Sequence, residues 1–317
     1  MDFIKNTKLR NELRTAAINA IWYSHKNVFE VSDKSKPTEP EHVASFIVKG
    51  LPLLNKYWGP ALSREGVKLS LTGVFTHSYP RVEFTQNKLK AVVELADLLI
   101  VRRHFKQGKL EKETACLLQS KMSDNGSKKL PSGDPQHYLF THWPTFQFQQ
   151  KDYDKRSRSI GNIVGQGRYN LIADKYSFPE ECFEWPDTCK WSIVRNLMSS
   201  MSSDASFASF LEDVFAFEDG REFFSDPRVG CEWSLLIQEL LKVTFNKRLT
   251  ARKFKAPKRG LNVGLMSFQS EEDDLTLGYL ESVPPRERKV EASDYNGPNA
   301  ISTLLIETDE VETRNMG

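Results

Sequence analysis

The chain lacks any apolar run approaching the ~18 residues of a bilayer-spanning helix, so a membrane span is not expected. Cysteine is scarce: Cys116, Cys182, Cys189 and Cys231 include no C-x-x-C pair, and no His–Cys cluster completes a zinc set. Cys116 lies in an apolar strand-like run, where a buried, inert thiol is expected. Cys182 and Cys189 would pair only in an oxidising compartment. The charged opening MDFIKNTKLRNEL has no apolar signal block, so the expected location is a reducing cytoplasm. A surplus of one charge is missing too. With 44 Lys and Arg against 42 Asp and Glu, any nucleic-acid surface must be a local patch. No repeat suggests a solenoid. No G-x-S-x-G turn supports a Ser-His-Asp hydrolase. GNIVGQG (161–167) lacks the G-K-[ST] ending of a phosphate loop and precedes a strand. His77, His137 and His142 show no ligand spacing with carboxylates, and structural roles are expected for them.

What remains is an ordinary globular composition, 39% hydrophobic and 27% charged over 317 residues, enough for one large domain or two smaller ones. Leu9, Leu13, Ala17, Ala20 and Ile21 have helical spacing within 8–26. A second helix is expected to begin near Glu41, after Pro40, with a kink at Pro52 and an end at Gly59-Pro60. The period then becomes that of strands: one from Val67 to Phe75, one around Val82 and Phe84, a third over 91–101 and a fourth over 114–121. The last two are apolar on both faces, as central strands covered by helices must be. After a turn-rich stretch at 122–135, expected to be mobile, Asp134 and Pro135 read as the cap and first position of a helix. YNLIA (169–173) reads as a strand. Residues 191–201, 206–217 and 232–245 read as helices, and 301–307 as a late strand. The expected architecture is α/β, a mixed central β-sheet flanked by helices over residues 1–176. A mainly helical region over 177–317 is assigned to substrate or partner binding.

The informative constellation is Asp97 on one central strand with Gln119 and Lys121 on the next. A strand repeats every two residues, so Gln119 and Lys121 project from one face, roughly 6–7 Å apart. If the strands are neighbours, Asp97 reaches both. Charge buried in apolar strands costs several kcal/mol unless it is paired or binds a metal.

This pattern resembles the PD-(D/E)XK nuclease superfamily, and its Q-x-K form the Mrr-like members. The resemblance covers about residues 8–175. It implies a restriction-endonuclease-like core and a catalytic set of Asp97, Gln119, Lys121 and Glu94. Asp97 would be the first metal ligand, joined by Gln119 through a neutral oxygen and by the backbone carbonyl of Ser120. Lys121 would polarise the attacking water or the phosphate. The implied cofactor is Mg²⁺ (or Mn²⁺). Glu94 would be a second carboxylate, and Glu12 a candidate helical one, although a solvated surface position suits Glu12 better. RecB-like members carry Gln-x-x-x-Tyr on the following helix; here Gln136 and Phe140 have that spacing without the hydroxyl, and the resemblance makes Gln136 a candidate nucleic-acid contact.

Basic residues supply candidate contacts to nucleic acid. Arg102 and Arg103 leave the Asp97 strand directly, and Lys128 and Lys129 lie in the turn-rich stretch. The run 246–259 holds Lys253, Lys255, Lys258 and Arg259 among its seven cations. Together with the resemblance this implies metal-dependent phosphodiester hydrolysis, of DNA in the first instance, in restriction or anti-phage defence and with a protein partner in such a complex. The alternative is a non-catalytic nucleic-acid-binding or scaffolding subunit, favoured by Gln119 where an acid is usual. A third reading is an interaction protein in which Asp97 and Lys121 merely form an ion pair.

Overall fold

Apolar side chains at successive positions, as in 114–121, can be buried only by covering both faces of the strand. The computed structural model describes residues 1–32, 34–76, 80–123, 126–174, 190–198, 200–226, 231–246, 263–269 and 300–310. Its principal sheet runs in the order β11 (Ala205–Ser206), β9 (Trp191–Val194), β8 (Gly167–Ala173), β5 (Lys109–Ser123), β4 (Leu98–Lys106), β14 (Thr303–Glu310), β1 (Val67–Thr76) and β13 (Val263–Gln269). The short β12 (Arg221–Glu222) lies beside β5. The β5–β8 and β4–β14 pairs are parallel and the other pairs antiparallel, so the sheet is mixed. A second sheet joins β2 (Arg81–Gln86), β3 (Leu89–Glu94) and β7 (Phe146–Phe148), and β6 (Ser127–Lys129) pairs with β10 (Ser200–Ser202).

Helices α1 (Thr7–Lys26), α2 (Glu39–Ser45), α3 (Leu51–Ser63) and α5 (Phe207–Phe215) pack on one face with Ile100, Cys116 and Leu118. Helices α4 (Pro135–His142) and α6 (Glu232–Asn246), with the second sheet, cover the other face, where Leu99, Val101, Leu117 and Tyr169 lie. Cys116 is a buried free thiol, as its surroundings predict. Cys182, Cys189 and His77 lie outside the described residues.

Local chemistry explains most boundaries. The Asn6 side chain accepts from the N–H groups of Lys8 and Leu9 and starts α1. Pro52 has no N–H for the carbonyl of Val48, and the preceding turn, Phe46–Gly50, widens to π geometry. Pro60 does not end α3, which runs on to Ser63. β4 and β5 are joined by a two-residue turn, Gln107 and Gly108, both at positive φ, which suits the twist of a hairpin.

Three expectations need correction. The stretch 91–101 is not one strand: it breaks at 95–97, where the chain leaves β3 in the second sheet and enters β4 in the first. Residues 191–201 are not a helix. Trp191, Val194, Leu197 and Met201 mimic helical spacing, but Trp191–Val194 is buried at all four positions and pairs with β8. The described residues after 176 do not stand apart from the first half. Their strands β9, β11, β13 and β14 belong to the principal sheet, and β14 lies between β4 and β1.

Candidate functional site

The break between β3 and β4 places Asp97 at the crossing from one sheet to the other, where its N–H donates to the Leu118 carbonyl at 2.9 Å. Along β5, Leu117 faces α4, so the two-residue period carries Gln119 and Lys121 to that same face. Asp134 caps α4 by accepting from the His137 N–H at 2.8 Å, which sets Gln136 in the first turn above them.

These side chains form one chain of hydrogen bonds. The Asp97 Oδ2 accepts from the Ser120 N–H at 2.6 Å and from Gln119 Nε2. Gln119 Oε1 accepts from Gln136 Nε2, which also donates to the Glu94 carbonyl at 3.1 Å. Gln136 Oε1 accepts from Lys121 Nζ at 3.4 Å. Lys121 and Asp97 are therefore joined through two amides and not by the direct ion pair of the third reading. Both amide orientations are dictated. The Glu94 carbonyl, which can only accept, and the Lys121 ammonium, which can only donate, orient Gln136, and the Gln136 NH₂ in turn takes the Gln119 oxygen.

Gln119 is buried, whereas Asp97, Lys121, Glu94 and Gln136 are half-buried, so the group is reachable from solvent. Burial pushes the Asp97 carboxyl up to about 7; the Ser120 N–H opposes that, Glu94 and Glu39 add to it, and Lys121 opposes it. Two residues here have no signal in the sequence. Glu39, in the first turn of α2, accepts from the Met122 N–H at 2.9 Å and so stands at the end of β5. Tyr169 pairs with Gln119 in the β5–β8 ladder, and its ring lies 5.5 Å from that of Phe140.

Whether these groups suit a divalent cation can be judged from their oxygens. The Asp97 carboxylate and the Ser120 carbonyl, the latter at 3.5 Å, converge on one amide nitrogen of Gln119, and among the described residues Asp97 has no direct ion pair. No cluster of three or more His, Cys, Asp or Glu ligands occurs among the described residues. One carboxylate, one carbonyl and a turned amide oxygen fit a hard cation that keeps most of its waters.

Other expected residues lie elsewhere. Arg102, five positions along β4, is ~16 Å from Asp97 and fully buried. Its guanidinium sits 4.7 Å from both the Phe215 and Phe217 rings and donates to the Phe215 carbonyl at 3.1 Å and to Thr308 Oγ1 at 2.7 Å. Burial lowers it to about 9. Arg103 pairs with Glu113 at 3.2 Å and Glu307 at 3.6 Å. Arg102 is thus an internal tie among β4, β14 and α5 rather than a phosphate contact, and Arg103 ties β4 to β5 and β14. Glu12 is on the surface and pairs with Arg64 at 2.6 Å. Lys128 and Lys129 are on β6, paired with Met201 and Ser200. Lys253, Lys255, Lys258 and Arg259 lie outside the described residues. A cavity of about 340 Å³ opens at the far end of α4, between Trp143, Ile163 and Arg195, and does not include Asp97. No helix among the described residues is long and apolar enough to cross a membrane. Comparison with protein-family models, with curated proteins and with solved structures finds no match to this chain.

Proposed function

We propose that the chain is a metal-dependent nuclease acting on DNA in a defence or restriction role, built on a restriction-endonuclease-like core. The observation that carries this reading is the convergence of Asp97, Gln119, Lys121 and Gln136 on one solvent-reachable point at the crossing between two sheets. The core would be α1, β1, β4, β5, α4 and β8, with β14 as an insertion between β1 and β4. Asp97 and the Ser120 carbonyl would hold Mg²⁺ or Mn²⁺, with Gln119 joining them through its amide oxygen. Such a cation, when bound, supplies Lewis-acid polarisation of water and of a phosphate oxygen. Lys121 contributes an ammonium toward charge developing on the phosphate. The N-terminal turn of α4 favours the same negative charge.

A second reading, a non-catalytic nucleic-acid-binding subunit, is favoured by one observation. The Gln119 amide already satisfies Asp97, so the hydrogen-bond chain is complete without a cation. The test incubates the purified protein and Asp97→Asn with plasmid, single-stranded DNA and RNA in Mg²⁺, Mn²⁺ or EDTA. Cleavage should require the metal and fall at least ~100-fold in Asp97→Asn. Equal cutting by both sinks the assignment. Binding without cutting selects the second reading.

A further inference from the structure

The two amides make a device that the resemblance does not supply. As they stand, Gln119 directs its NH₂ at Asp97 and at the Ser120 carbonyl, the two oxygens a cation would need. To offer its oxygen instead, Gln119 must turn its amide by half a revolution. That turn brings its NH₂ against the NH₂ of Gln136, and two donors then face each other. Gln136 cannot answer by turning as well, because its oxygen would meet the Glu94 carbonyl and its NH₂ the Lys121 ammonium. It must let go.

We infer that Gln136 is a positioning residue that latches the site: it holds Gln119 in the orientation that excludes a divalent cation and ties down Lys121, and cation binding releases both. This rests on the reading of the site as a cation site. Loading and the freeing of Lys121 are thus one event, so the ammonium becomes available to a phosphate only when the cation is in place. The latch also weakens cation affinity, because the bonds of Gln136 are lost on loading.

The test is a Mn²⁺ titration, followed by water-proton relaxation, on four proteins: the parent, Gln136→Leu, Gln119→Glu and the double variant. Gln136→Leu should bind Mn²⁺ about tenfold more tightly than the parent, the size of one ordinary hydrogen bond. A carboxylate at position 119 has an oxygen toward each side and needs no turn, so adding Gln136→Leu to Gln119→Glu should not tighten binding. A merely structural role for Gln136 would shift both backgrounds alike. Gln136→Met, which keeps the chain length, replaces Gln136→Leu if that variant does not fold. Equal or weaker binding by the Gln136 variant, or equal tightening in both backgrounds, overturns the latch and leaves the cation reading standing. If none of the proteins binds Mn²⁺, Gln119→Glu included, the cation reading itself is lost.

Discussion

Tyr169 lies directly across from Gln119 in the parallel β5–β8 ladder, and its hydroxyl is fully buried with no hydrogen-bond partner among the described residues. Burial and the nearby Asp134 and Asp97 carboxylates hold the phenol firmly protonated. An unpaired buried hydroxyl costs stability. Tyr169→Phe should therefore raise the stability of the protein by ~1 kcal/mol, read from the urea midpoint. A loss of that size would show that the hydroxyl has a partner after all.

Lys121 and Asp97 should separate in their effects. Lys121→Met removes the ammonium and leaves every proposed ligand in place. Cleavage should fall at least ~100-fold, while Mn²⁺ affinity holds or rises slightly, since one repelling charge is gone. Parallel loss of metal binding would move Lys121 from chemistry to site assembly.

The seating of α4 depends on a missing side chain. A Cβ at Gly167 would lie 2.8 Å from Trp143 Cζ2 and 2.9 Å from Phe140 Cδ1, ring atoms that cannot swing away. Gly167→Ala should cost roughly 1–3 kcal/mol by overpacking. It should also lift α4 and with it Gln136, so Mn²⁺ affinity should change together with the melting temperature. An unchanged melting temperature would contradict this packing.

Acid should weaken the protein through a pair of histidines. His25 and His42 are buried and stack with ring centroids 4.7 Å apart at 23°, and burial with His25 beside it pushes His42 down to about 2. An unfolded histidine titrates near 6.5. Between about 2 and 6.5 the unfolded chain therefore holds the extra proton, and stability rises with pH across that window. It is full above ~6.5 and falls with acid by roughly 1.4 kcal/mol per pH unit for this one group. His42→Phe should flatten the slope of the urea midpoint against pH between 6.5 and 4. An unaltered slope would exclude His42 as its source.

How much of this was legible depended on distance along the chain. Asp134 and Pro135 announce α4 because caps act over three residues, and the two-residue period alone puts Gln119 and Lys121 on one face. Residues 114–121 announce a strand covered on both sides. Nothing comparable announces Glu39, which looks like any acid in a first helical turn. Arg102 was misjudged because its partners, Phe215, Phe217 and Thr308, are remote in sequence. For the same reason 191–194 read as helix: its pairing with β8 is a long-range event that local spacing cannot report.

The position of β14 has a consequence for how the protein is made. Among the described strands β1 and β4 are joined through it alone, yet it is the last described element to leave the ribosome. Until then both strands present open edges, one of them on the strand that follows Asp97, and open edges are templates for association with other chains. The loop that closes when β14 inserts is long, and contacts so remote form slowly. A nascent chain can therefore carry Asp97, Gln119, Lys121 and Gln136 complete in sequence while the strand that completes their sheet has yet to be synthesised.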